Sequence, residues 1–152
     1  MDFVTGSCEA KDMEIADIMQ LEDDAIVKTH GMVYSIKNMG DFGFVALRKR
    51  NGIVQCVYNK GESQFALEDL GVEMSVNVEG KLKKDERAPG GFEIHLLNVE
   101  ILTKPKEAPA INLSKRKLGM SLETNIAQRP ITLRNNRERA IFKIQEGVIR
   151  GF

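Results

Sequence analysis

The chain has 152 residues, 42% of them hydrophobic, with 22 basic and 22 acidic side chains and no tryptophan. This length and apolar content fit one domain of ordinary size plus a tail, and they exclude wholesale disorder. The zero net charge argues against tight non-specific binding to nucleic acid, but the charge is segregated: residues 1–24 carry net −7, residues 25–103 net 0 and residues 104–152 net +7.

The start, MDFVTGSCEAKDME, is acidic and leads into no apolar run, so it reads as neither a signal nor a transit peptide. No segment approaches the roughly 20 apolar residues of a membrane span. The cysteines, Cys8 and Cys56, are far apart and show no CxxC spacing. No disulfide framework or zinc site is expected, and the reducing cytoplasm is the default location.

Within residues 1–23, Met13, Ile15, Ile18 and Met19 fall on one face of a possible short helix. From Ala25 to Asn38 the β-branched run AIVKTHGMVYSIKN reads as a first strand, with Gly31 marking a bend or bulge. Asn38 to Asp41 is a turn signal. In FGFVALRKR that follows, Phe42, Phe44 and Ala46 share one face and Val45 and Leu47 the other. Asn51-Gly52 predicts a hairpin into a third strand, Ile53 to Tyr58. Ser63 is placed to cap a short helix carrying Phe65, Leu67 and Leu70, closed by Gly71. Val72 to Lys84 and Phe92 to Leu102 return to the strand pattern on either side of the loop DERAPGG. Three strands, a helix and two more strands is the order of a mainly β, five-stranded OB-fold Greek-key barrel, expected over residues 24–103. Residues 104–135 show no periodicity and read as a hinge or linker. Residues 136–152 read as a helix with Ala140, Ile141, Ile144, Val148 and Phe152 on one face, a stripe more often core than interface.

Phe44 and Gln55 are the candidate site. A strand Phe in a small barrel is more often core, but where Val45 and Leu47 supply the inward set Phe44 faces out, and an outward ring beside an outward amide is the chemistry of a single-strand nucleic-acid reader. The ring stacks an unpaired base, and the amide offers a donor and an acceptor to its edge. Lys37, Arg48 and Arg50 are charges that can meet phosphates, and Lys83, Lys84 and Arg87 flank the loop before the last strand. His30 and His95 are isolated and receive no metal or catalytic role.

Three separated motifs resemble class II aspartyl- and asparaginyl-tRNA synthetases, the archaeal-type aspartyl branch above all. Phe44, Arg48, Gly52, Ile53, Val54 and Gln55 fit a "F-x-x-x-R-(D)-x-x-G-I-V-Q" pattern, and Gly91, Phe92, Glu93 and Ile94 fit "G-F-E-I". Arg129, Leu133, Arg134 and Ala140 to Ile144 fit the junction "R-x-x-x-L-R-x-x-x-x-x-A-I-F-K-I". The resemblance implies an anticodon-binding domain whose partner is tRNA. Phe44 would stack on the central anticodon base, Gln55 would read it, and Glu93 would read a neighbour. Lys37, Arg48 and Lys84 would steer the backbone. It also implies a parent ligase, a homodimer using ATP and magnesium, of which residues 136–152 would begin a catalytic-domain helix. None of the class II catalytic motifs is in these 152 residues, so no catalytic residue, cofactor or metal is expected here, and the chain by itself is expected to be inactive. It would be a piece of a longer synthetase or a free-standing paralogue, monomeric or associating through the 136–152 helix. The chain departs from the pattern at Met32, where the family has Trp, and at Lys49, where it has Asp, making Arg48–Arg50 an unusually basic run. The alternatives are a sequence-tolerant single-strand binder on the same fold and a protein-interaction module derived from a synthetase.

Overall fold

The computed structural model describes residues 13–107 and 110–152, so Cys8, Pro109 and most of the acidic start lie outside the described residues. The chain forms two compact units, Met1–Lys104 and Pro105–Phe152.

In the first unit a short helix α1 (Ile15–Met19) precedes strands β1 (Ile26–Asn38), β2 (Phe42–Arg48), β3 (Ile53–Asn59), β4 (Ser75–Lys84) and β5 (Phe92–Thr103). They close into a barrel in the order β1-β2-β3-β5-β4, with β4 returning to β1. The pairs are antiparallel except β3 with β5. The mainly β, five-stranded OB-fold read from the sequence is the observed architecture.

The period of two generates the barrel's inside and outside. Val27, Val33, Val45, Leu47, Val54, Cys56, Val76, Leu82, Ile94 and Leu96 alternate inward and are almost fully buried. Each such aliphatic side chain contributes about 1.5–3 kcal/mol of burial free energy. The two barrel ends are stopped separately. At the Phe42 end of β2, a Cβ on Gly43 would lie 2.6 Å from Leu67. At the hairpin end, a Cβ on Gly52 would lie 3.0 Å from Ile15, and the neighbouring Ile18 of α1 is wholly buried in the core. Residues 13–19 are therefore part of the barrel and not an appendage. The predicted helical face holds for Ile15 and Ile18, whereas Met19 turns to solvent.

Several local expectations shift. The irregularity in β1 lies between Val33 and Ser35, with Tyr34 as the extra residue, whereas Gly31 is needed for close approach: a Cβ there would come within 3.2 Å of the Arg48 carbonyl oxygen. The β2–β3 hairpin forms, but its turn is one residue upstream of Asn51-Gly52. Lys49 N donates to Gly52 O, leaving Arg50 and Asn51 at the tip. The predicted Ser63–Gly71 helix shrinks to a single 3-10 turn at Leu67–Asp69. Ser63 caps nothing: its hydroxyl donates to the Leu96 carbonyl at 2.7 Å. Leu67 and Leu70 still reach the core, and Phe65 packs edge-on to Tyr58. Their burial, not helical propensity, fixes the segment.

In the second unit the stretch read as featureless contains two short helices, α2 (Leu122–Ala127) and α3 (Arg129–Thr132). Ser121 caps α2 by accepting from Thr124 N, and Pro130 sits in the first turn of α3. Helix α4 (Asn136–Arg150) forms where the sequence places it. Asn135 caps it by accepting from Arg137 N and Glu138 N, while its amide donates to the Leu113 and Lys115 carbonyls. Arg129 lies over the Phe142 ring at 4.7 Å. The α4 stripe is not core within this unit: Ile141, Ile144, Val148 and Phe152 are exposed.

Candidate nucleic-acid interface

The outward positions of β1, β2, β3 and β5 line up across one sheet surface. Register pairs Lys37 with Phe44, Phe44 with Val57, and Val57 with His95. The next row runs from Ser35 through Ala46 to Gln55, and from Gln55 to Glu93. Phe44 and Gln55 are therefore diagonal neighbours on adjacent strands, within reach of one base. Phe44 is half-buried at its edges, with Phe42 packed against it at 6.0 Å and 89°.

Gln55 is held by β5. Its Nε2 donates to Glu93 Oε2 at 3.3 Å, and Glu93 Oε1 lies 3.0 Å from His95 Nε2. A carboxylate only accepts, so this bond sets the amide's orientation. The Gln55 NH2 faces Glu93 and its Oε1 is left as an acceptor for a ligand. Sequence reasoning gave His95 no part. Its signal was the alternation Glu93-Ile94-His95, which puts the first and third on one face. Behind this surface, Cys56 points inward, and burial pushes its thiol far above the ordinary range, with the Glu93 charge adding to the shift.

The cations divide differently from their appearance in the sequence. Lys37 is exposed beside Phe44. Arg48 is not a free cation: its Nη1 and Nη2 each lie 3.2 Å from a Glu73 carboxylate oxygen, and Nη2 also donates to Met32 Sδ. The side chains of this ion pair are only 9% and 6% exposed. Glu73 reaches it from a left-handed backbone, φ 65°. Lys49 is buried too, donating from Nζ to Thr29 Oγ1 at 2.5 Å and to the His30 carbonyl at 3.0 Å. Of the basic run Arg48–Arg50, only Arg50 is exposed.

Lys84 is exposed at the end of β4, but it pairs with Phe92 and so has the opposite parity to Glu93. The lysines opposite Glu93 and His95 are Lys83 and Lys81. Lys83 is engaged with Asp24 at 2.8 Å and Asp23 at 3.5 Å, which raise its pKa, the Asp24 hydrogen bond most. Lys81 is exposed. In the β4–β5 loop, hydrogen bonds from Arg87 hold the Asp85 carboxyl below its usual range. The surface thus offers a ring, an oriented amide, a carboxylate and two open lysines. That is a set for stacking a base, reading its edge and meeting its phosphates. Among the described residues no cluster suited to a metal ion is found, and no helix is long and apolar enough to cross a membrane.

A family profile described as an OB-fold nucleic acid binding domain of the tRNA anticodon type matches residues 27–102. An aspartate–tRNA(Asp/Asn) ligase of Saccharolobus solfataricus is 31% identical over 131 residues, 86% of this chain and 30% of that protein. The corresponding ligase of Methanocaldococcus jannaschii is 35% identical over 139 residues, 89% of this chain and 32% of that protein. The solved asparaginyl-tRNA synthetase of Pyrococcus horikoshii, complexed with asparaginyl-adenylate, superimposes with a TM-score of 0.75 at 30% identity, covering 93% of this chain and 33% of that one. The chain spans about a third of the length of these relatives.

Proposed function

Because the chain belongs to the tRNA anticodon family of OB-fold nucleic-acid-binding domains, we propose that it reads the anticodon of an aspartate- or asparagine-type tRNA in the cytoplasm. One observation carries the proposal. Phe44, Gln55 and Glu93, from three strands and 11 and 38 residues apart in sequence, emerge on one outward surface with the amide already oriented by the carboxylate.

The mechanism follows from that geometry. The loop bases unstack and splay over the surface. Phe44 takes the face of the central base, and stacking on an aromatic ring contributes about 1–3 kcal/mol per base. Gln55 presents its Oε1 to a base N–H, which uracil supplies at N3, and its remaining N–H to a base carbonyl. Glu93 accepts from an amine or ring N–H of a neighbouring base. Lys37 meets the backbone beside Phe44, and Lys81 and Lys84 lie toward the β4–β5 loop. Arg48 acts as a positioning residue that secures the end of β2. The expected assignment of Arg48 to the RNA backbone is replaced here because its charge is spent on Glu73. Amino-acid activation with ATP and magnesium belongs, in this reading, to the ligase as a whole.

Titrating the chain with a GUC anticodon stem-loop, a central-base variant and a DNA mimic tests this. The GUC loop is expected to bind tightest, and Phe44→Ala to weaken it by about 5- to 150-fold. Equal binding to all three probes would reject anticodon reading.

A further inference from the structure

Phe42 is the second ring on the same surface, beside the Phe44, Gln55 and Glu93 set and not part of it. It is 45% exposed, a large apolar area for a strand residue whose neighbours Val45 and Leu47 fill the core. It shares the outward parity of Phe44 and sits across from Asn59 on β3. The turn between β1 and β2 borders it: Met39 N donates to Phe42 O, and Met39 is itself half exposed.

The surroundings of this patch are cationic and polar. Lys37 lies across from Phe44 on one side. Lys60 lies on the other, its ammonium 3.9 Å from Asp41 with both side chains largely in solvent. So long and exposed a contact is weak and is readily exchanged for a phosphate. Asn59 is exposed, and its Oδ1 accepts from Gly61 N, which leaves its amide N–H groups available to a ligand. An exposed ring flanked by amide donors and two lysines is complementary to an unpaired nucleotide.

We propose that Phe42 is a second stacking platform, holding a nucleobase adjacent to the one on Phe44. Its Asn59 amide meets the base edge, and Lys37 and Lys60 bracket the phosphates. The two rings are 6.0 Å apart and perpendicular. Bases lying on them are therefore turned away from each other, and the loop is opened at that step. This subsite rests on the anticodon reading of the same surface and extends it from one base to two.

The test uses the full chain, its Phe42→Leu variant and stem-loops carrying one abasic nucleotide at each anticodon position in turn. Leucine keeps the apolar bulk and removes the ring face. Phe42→Leu is expected to weaken the intact loop by about 5- to 30-fold, the lower part of the range for a stacked base, and to leave unchanged the affinity for the loop that is abasic at the occupied position. A 2-aminopurine placed there is expected to brighten on the wild-type protein as it leaves its neighbouring bases, and to brighten less on the variant. Unchanged binding to the intact loop would overturn the proposal. So would an equal loss on every abasic loop, which would mean that Phe42 only props Phe44. If the wild-type chain still prefers the GUC loop to its central-base variant in those outcomes, the anticodon reading stands and only the second platform falls.

Discussion

The two ends of the outward β2–β3 surface treat their side chains in opposite ways. At the Phe42 end, rings and lysines stay open to solvent: Phe42 is 45% exposed and Lys37 and Lys60 are exposed. At the hairpin end, Arg48 and Lys49 carry the same formal charge as Lys37 and Lys60, yet both are locked into the fold by Glu73, Met32, Thr29 and the His30 carbonyl, and of that run only Arg50 at the turn is exposed. The difference separates charge that is built into the barrel from charge that is open to a ligand. A buried ion pair draws little on solvent and offers little to a phosphate, whereas an exposed lysine releases counterions when it binds one.

The sharpest way to break this contrast is Arg48→Met. It leaves Glu73 buried without its cation, and a loss of about 3–5 kcal/mol in urea unfolding is expected. The fraction that remains folded should bind the stem-loop nearly as well as wild type. Loss of RNA affinity at unchanged stability would return Arg48 to the phosphate contacts.

A smaller effect distinguishes Lys37 from Lys49. Lys37→Ala is expected to lower the slope of log affinity against log salt by about 0.7, one phosphate contact on a single strand. Lys49→Met should leave that slope unchanged and lower only the melting temperature. Equal slopes for both variants would dissolve the distinction between open and structural charge.

The smallest effect concerns the acidic segment that joins α1 to the barrel. Asp23 accepts from Lys84 N, which holds its carboxyl below the ordinary 3.8, with Lys83 adding to the shift. A carboxyl whose folded pKa is depressed contributes stability above its unfolded pKa and loses it as pH falls through the folded value. Thermal melts from neutral pH into the acid range below 3.8 should therefore show a slight acid loss in the wild type that Asp23→Asn lacks. Parallel profiles would show that Asp23 contributes nothing to folding.

Much of the barrel was legible because strand alternation is a local property. The inward set Val45, Leu47, Val54 and Cys56 and the outward set Phe42, Phe44 and Gln55 follow from a period of two. The elements misread were those whose conformation is imposed by distant packing. Leu67 and Leu70 need only reach the core, so one 3-10 turn suffices where a capped helix was expected. The bulge at Tyr34 answers the demand that β1 pair with β4 in its first half and β2 in its second, which no residue of β1 announces. Helices α2 and α3 are too short to show periodicity.

By itself the sequence determined the strands, their faces and the candidates Phe44, Gln55 and Glu93, since neighbours along a chain fix parity and family motifs fix identity. Only the tertiary structure decided which groups are free to act. Arg48 meets Glu73 across 25 residues, Lys49 meets Thr29 across 20, and Gln55 meets Glu93 across 38. The physical reason is that burial and pairing are set by what the barrel brings together on closing, and that closure joins residues the linear order keeps apart.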